Sequence, residues 1–167
     1  TNKDLDSETK SNVIEVLSSI NSSIGKYSIR GDIDEDGLYN ELFSSSGFIC
    51  LDNITTSVYY SDNDFITIGN EDISSDLFNI LLIHEPDFFD NYNSSFELVL
   101  AGHSLNGQIN IPVIKRLFLD DGADKYYNGH YLVNNSNLYV SNGIGTTDFK
   151  YRFNNKPSIG LFRLTKY

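Results

Sequence analysis

The chain has 167 residues, 40% of them hydrophobic and 21% charged, with a formal net charge of −11. That length suits one domain with a real core, placed here at residues 1–167. So acidic a surface repels nucleic acid and anionic membranes, which removes both as general partners and leaves divalent cations compatible.

One cysteine, Cys50, rules out an internal disulfide. Its neighbours Phe48, Ile49 and Leu51 place the thiol in the core. No stretch reads as a signal peptide or a membrane-spanning run. Position 1 is Thr rather than Met, as expected of an excised or processed segment. Cytoplasmic placement and attachment through an upstream segment are both compatible with that.

Asp6-Ser7-Glu8 is a polar helix start, and Val13, Ile14, Val16, Leu17 and Ile20 recur behind it at helical spacing until Gly25. Residues 27–30 read as a short strand that stops at Gly31. A second helix is predicted over 38–46, with Leu38, Leu42 and Phe43 on one face and Gly47 as its stop. Strands follow over 48–51, 57–60 and 65–69, the last two joined by a turn at Asp62-Asn63. Residues 77–83 and 98–101 are apolar without alternation, so they read as strands buried on both faces. The remainder is mostly β. Segments 131–133 and 138–141 flank a turn over 134–137, and 159–164 is expected as the last strand.

Two of the three histidines share one kind of position. His84 follows the apolar run 80–83, and His103 follows the run 98–101 through Gly102. Open α/β sheets bind ligands beyond the carboxyl ends of their strands. His130 opens a hairpin with no partner motif and reads as structural. Asp32 to Gly37 matches the first half of a calcium loop, but the twelfth position is Phe43 where an EF-hand needs a bidentate Glu. Outside an EF-hand, the cluster is either another calcium loop or a solvated helix start favoured by the helix dipole. Gly143-Ile144-Gly145 precedes no helical pattern and reads as a tight turn.

Three ordered segments together resemble the calcineurin-like metallophosphoesterases and their bacterial branch. They are Gly25 through Asp34, Leu81 through Asp87, and Leu98 through Gln108. Gly143-Ile144-Gly145-Thr146, Arg152 and Pro157 continue the likeness. The resemblance implies an α/β sandwich of two packed mixed sheets flanked by helices, here without its first strands. It implies hydrolysis of a phosphate ester with a divalent metal such as Mn, Zn or Fe. By the same likeness Asp32, His84 and His103 are metal ligands, Asp34 is a catalytic candidate, and Asn106 and Gln108 face substrate.

Two departures from the family pattern weigh against ordinary two-metal chemistry. Ile33 stands where the family has a histidine that assists the reaction, and Leu105 stands where it has a second loop ligand. The Asp-x-His and Gly-Asp-x-x-Asp motifs that open the family pattern do not occur. The chain therefore reads as the C-terminal two-thirds of such a protein. The expected partners are a small phosphate ester, and either the upstream part of the same protein or a second copy. A non-catalytic relative that binds without turnover is the alternative reading.

Overall fold

A computed structural model describes residues 5–60, 65–73, 76–147 and 150–165, apart from the side chains of Phe65 and Lys115. The expected turn at Asp62-Asn63 lies outside the described residues. Two compact units divide the chain after His84. Both mix helical and extended segments, as the α/β expectation requires.

In the first unit, α1 (Ser7–Ser18) starts at Asp6, whose carboxylate accepts the Thr9 amide at 2.7 Å. That bond satisfies one of the amides a helix start leaves open, and it holds the Asp6 pKa below the usual carboxylate value. The helix ends at Ser18, earlier than its apolar spacing predicted, and none of its residues is fully buried. It leans on α2 (Asp36–Ser45) through the Lys10–Glu41 ion pair at 2.8 Å. α2 buries Leu38, Tyr39 and Leu42. Gly47, at φ +77°, takes the left-handed step that stops it. Leu42 and Leu51 are wholly enclosed, each burial contributing roughly 1.5–3 kcal/mol.

Two strand sets complete this unit. β1 (Tyr27–Ile29) pairs in parallel with β2 (Ile49–Leu51). β3 (Thr55–Tyr59) pairs antiparallel with β4 (Phe65–Gly69), and β4 pairs in parallel with β5 (Phe78–Ile83). The Tyr39 hydroxyl donates to Ser28 Oγ at 2.7 Å, and Ser28 Oγ lies 3.6 Å from Cys50 Sγ. This links α2 to both strands of the small sheet. Cys50 is half-buried rather than fully enclosed, its sulfur lying beside the hydroxyls of Ser28 and Ser44.

The second unit begins with a 3-10 helix, Pro86–Asn91. β6 (Leu98–Ala101) pairs in parallel with β8 (Ser136–Val140), which pairs antiparallel with β7 (Gly129–Val133). Phe89, Tyr92 and Phe96 pack ring against ring beside them. The hairpin turn is shorter than predicted. Asn134 and Asn135, at φ 49° and 64°, form the two-residue loop, and Ser136 already faces Val133.

The expected strand at 159–164 does not form. Those residues run outside any regular element, with Ile159 86% and Leu161 97% exposed. Apolar residues alone do not make a strand; it also needs an edge to pair with, and none is paired to this segment among the described residues. Phe162 instead packs edge-on against Tyr139.

Candidate functional site

In the first unit, two strand ends bring a carboxylate and an imidazole together. β1 runs out through Arg30 and Gly31 to Asp32, and β5 runs out into His84. His84 Nε2 lies 2.9 Å from Asp32 Oδ1. Both groups are partly exposed, at 31% for His84 and 42% for Asp32. Asp34 closes the intervening turn by accepting the Gly31 amide at 2.9 Å through Oδ2. Arg30 is held between Asp36 and Asp52.

Gly31 makes this approach sterically feasible. A Cβ built there would lie 2.9 Å from His84 Cε1, 3.2 Å from His84 Nε2 and 3.3 Å from Asp34 Oδ2. The missing side chain is therefore the space into which the imidazole fits. The sequence carried that signal as a glycine directly before the acidic pair, and only the contact distances reveal its purpose.

Oxygen and nitrogen donors side by side suit a borderline divalent cation. Ligands about 2.0–2.1 Å from one ion lie roughly 3 Å apart, close to the Asp32–His84 spacing. The donor chemistry of this pair thus fits the metal that the resemblance implies. Ile33, between Asp32 and Asp34, is 64% exposed.

In the second unit, the loop after β6 is built from unusual backbone. His103, Leu105, Asn106 and Gln108 have φ of 61°, 43°, 53° and 55°, and Gly107 has 70°. Residues other than glycine rarely adopt such angles, and the four non-glycine residues cost on the order of 1–3 kcal/mol apiece. Hydrogen bonds hold the loop in this shape. Ser104 Oγ donates to the Tyr127 carbonyl at 2.7 Å, and Asn155 Nδ2 donates to the Leu105 carbonyl at 2.5 Å.

His103 is oriented by a backbone carbonyl. Its Nε2 lies 2.8 Å from the oxygen of Asp121. A carbonyl can only accept, so this nitrogen carries the proton and the neutral ring keeps its lone pair on Nδ1. The Asp121 segment is anchored in turn by Asp87. Its carboxylate accepts the amides of Asp124, Lys125 and Tyr126 at 2.7–3.1 Å, and its own amide donates to the Gly122 carbonyl.

Asn106 and Gln108 are buried. Asn106 Nδ2 donates to Asn155 at 3.3 Å, while Gln108 accepts the Thr147 amide at 2.6 Å and donates to the Tyr151 carbonyl at 3.3 Å. Gln108 also lines a cavity of about 180 Å³ together with Leu105, Leu117, Leu119 and Thr147. Leu105 fills the space left by Gly143, where a Cβ would meet its Cδ2 at 2.7 Å. His130 sits in β7, 3.2 Å from Asn137 Oδ1 across the hairpin.

Among curated proteins, the chain is similar to the uncharacterized metallophosphoesterase YkuE of Bacillus subtilis (strain 168). The two are 31% identical over 172 residues, covering 91% of this chain and 60% of YkuE. It is also similar to the phosphodiesterase YaeI of Escherichia coli (strain K12), 22% identical over 143 residues, covering 78% of this chain and 53% of YaeI. The chain thus spans little more than half the length of the curated relatives it matches. No protein-family model and no solved structure matches it. The likeness to YkuE covers nearly the whole chain, and by it the chain belongs to the calcineurin-like metallophosphoesterase family, with the α/β fold of that family.

Proposed function

We propose that the chain is the part of a metal-dependent phosphoesterase that supplies one side of its metal site. Asp32, His84 and His103 are the ligands in this proposal. The contact between Asp32 and His84 at 2.9 Å carries it. The bound cation would act as a Lewis acid toward a phosphoryl oxygen and lower the pKa of its water. The protein's own part is to hold three donors in fixed directions, with Gly31 clearing the space for His84 and Asp121 fixing the ring of His103.

Asp34 is proposed to support catalysis by holding the turn that aims Asp32. Asn106 and Gln108 are proposed to shape the substrate side of the His103 loop, a reading supported by the cavity beside Gln108. The substrate class is a small phosphate ester. The further ligands of a metal pair would come from another segment of the parent protein or from a second copy.

The absence of side-chain chemistry at Ile33 and Leu105 supports a second reading, a relative that binds metal and ligand without turnover. Titration calorimetry with Mn²⁺ or Zn²⁺ tests the ligand set: binding should weaken in both His84→Ala and His103→Ala, and binding indifferent to both changes rejects it. Hydrolysis of bis-p-nitrophenyl phosphate by the parent protein separates the readings, since metal-dependent turnover lost in His103→Ala excludes the non-catalytic one.

A further inference from the structure

The net charge of −11 conceals a strong local asymmetry. Residues 109–119 hold Lys115 and Arg116, and residues 150–165 hold Lys150, Arg152, Lys156 and Arg163. These two windows carry six of the 12 basic residues and none of the 23 acidic ones. Backbone pairing joins them within the second unit. Ile109 bridges Phe153, the Asn110 amide donates to the Phe153 carbonyl at 2.9 Å, and Asn110 and Asn154 exchange side-chain bonds at 3.2 Å.

The same windows expose large apolar side chains. Val113 is fully exposed at 100%, Leu117 at 80%, Tyr151 at 59% and Phe153 at 57%. Val113 stands at φ +78°, a costly setting for a β-branched residue, and its turn runs directly into the 3-10 helix Lys115–Phe118. Arg116, Lys150, Lys156 and Arg163 are exposed beside them, while Arg152 is tied inward to the carbonyls of Asn142 and Gly145.

Exposed apolar residues interleaved with basic ones are how peripheral proteins bind lipid headgroups and the upper acyl region. Screening limits electrostatic reach to about 8–10 Å at physiological salt. A local basic face can therefore act against the sign of the whole molecule. No helix among the described residues is long and apolar enough to cross a membrane.

We propose that the face formed by residues 109–119 and 150–165 docks this protein on an anionic lipid surface. The inference is independent of the phosphoesterase reading. Co-sedimentation of the purified chain with phosphatidylglycerol/phosphatidylcholine vesicles, and with phosphatidylcholine vesicles alone, tests it. Binding should require the anionic lipid, weaken with added salt, and fall about tenfold or more in Arg116→Glu/Lys156→Glu. Val113→Asp/Phe153→Asp should lose binding while keeping the circular dichroism spectrum and the Mn²⁺ affinity of the unaltered chain. Absence of binding to anionic vesicles overturns the proposal, as does equal binding to both vesicle types. Concentration-dependent self-association in light scattering that Val113→Asp/Phe153→Asp abolishes, without vesicle binding, assigns the face to a second copy and also overturns it.

Discussion

The Asp32 carboxylate meets the His84 imidazole at 2.9 Å across the ends of two strands that belong to different sheets of the first unit. Neither residue is near the other in sequence. The contact depends on how far β1 and β5 extend and on what fills the gap between them. That filler is Gly31, and it gives the first prediction. Gly31→Ala places a methyl group 2.9 Å from His84 Cε1, and the ring must swing away. Mn²⁺ affinity by calorimetry should drop about 10–100-fold, the range seen when groups that orient a ligand are lost. Thermal unfolding should change little, because both side chains are partly solvated. Unchanged affinity would show that the ring position is not needed for binding.

Asp87 is a scaffold residue with a reach to His103. It gathers three backbone amides of residues 124–126, and the same turn presents the Asp121 carbonyl to His103. Asp87→Ala should destabilise the chain by about 2 kcal/mol, the scale of losing charge-assisted hydrogen bonds. Asp87→Asn, which keeps one acceptor oxygen, should recover part of that. Denaturant unfolding measures the difference. Metal affinity should fall alongside stability in Asp87→Ala, and a loss of stability with affinity intact would sever the link to His103.

The His103 ring makes a spectroscopic prediction. With Nε2 donating to the Asp121 oxygen, the neutral ring should carry its proton on Nε2, the tautomer that leaves Nδ1 to a cation. Long-range ¹H–¹⁵N correlation spectra of the metal-free chain at alkaline pH read the tautomer directly. Proton occupancy on Nδ1 would reverse the assignment of the ligating nitrogen.

Much of this arrangement was legible in the sequence. The apolar run 98–101 and its abrupt end at Gly102 gave β6 and placed His103 beyond it. Asp6 announced the start of α1, and Gly47 its counterpart at the end of α2. Other features depended on information the local pattern does not hold. The segment 159–164 has strand-like residues, yet pairing requires an edge elsewhere in the fold. The α1 pattern continued to Ile20, but Val16 and Ile20 remain 65% and 48% exposed and the helix stops at Ser18. Asn134-Asn135 could be placed as a two-residue turn only once both backbones were seen at positive φ. The roles of Gly31 and Asp87 are contacts at long sequence range, so spacing alone could flag the residues without explaining them.

Tyr39 supplies a pH prediction. Burial pushes its phenol up to about 12, partly offset by the hydroxyl's bond to Ser28. An unfolded tyrosine titrates at ~10. The folded state therefore holds this proton more tightly than the unfolded state. The resulting stability is complete below about pH 10 and is lost as pH rises through the folded value near 12. Chemical unfolding followed across that interval should show a decline that Tyr39→Phe removes. The same variant should lose about 0.5–1.5 kcal/mol at neutral pH, since the bond from Tyr39 to Ser28 disappears. A wild-type profile flat between pH 10 and 12 would contradict the burial of an ionisable phenol at this position.

Leu105 allows a direct test of the ligand role proposed for the His103 loop. The resemblance implies an imidazole at this loop position; Leu105 itself lies at φ 43°, half-buried against Gly143. Leu105→His should raise Zn²⁺ affinity by about tenfold or more, the effect of one added nitrogen donor in a site otherwise short of ligands. It should also reduce stability by about 1–3 kcal/mol, because an apolar side chain packed into the glycine's space is exchanged for a polar one. Calorimetry and thermal unfolding read the two effects separately. A gain in affinity that disappears in the His103→Ala background would place both side chains on one cation. A gain that survives there would mean that residue 105 recruits metal on its own, and the ligand role proposed for His103 would fall with it.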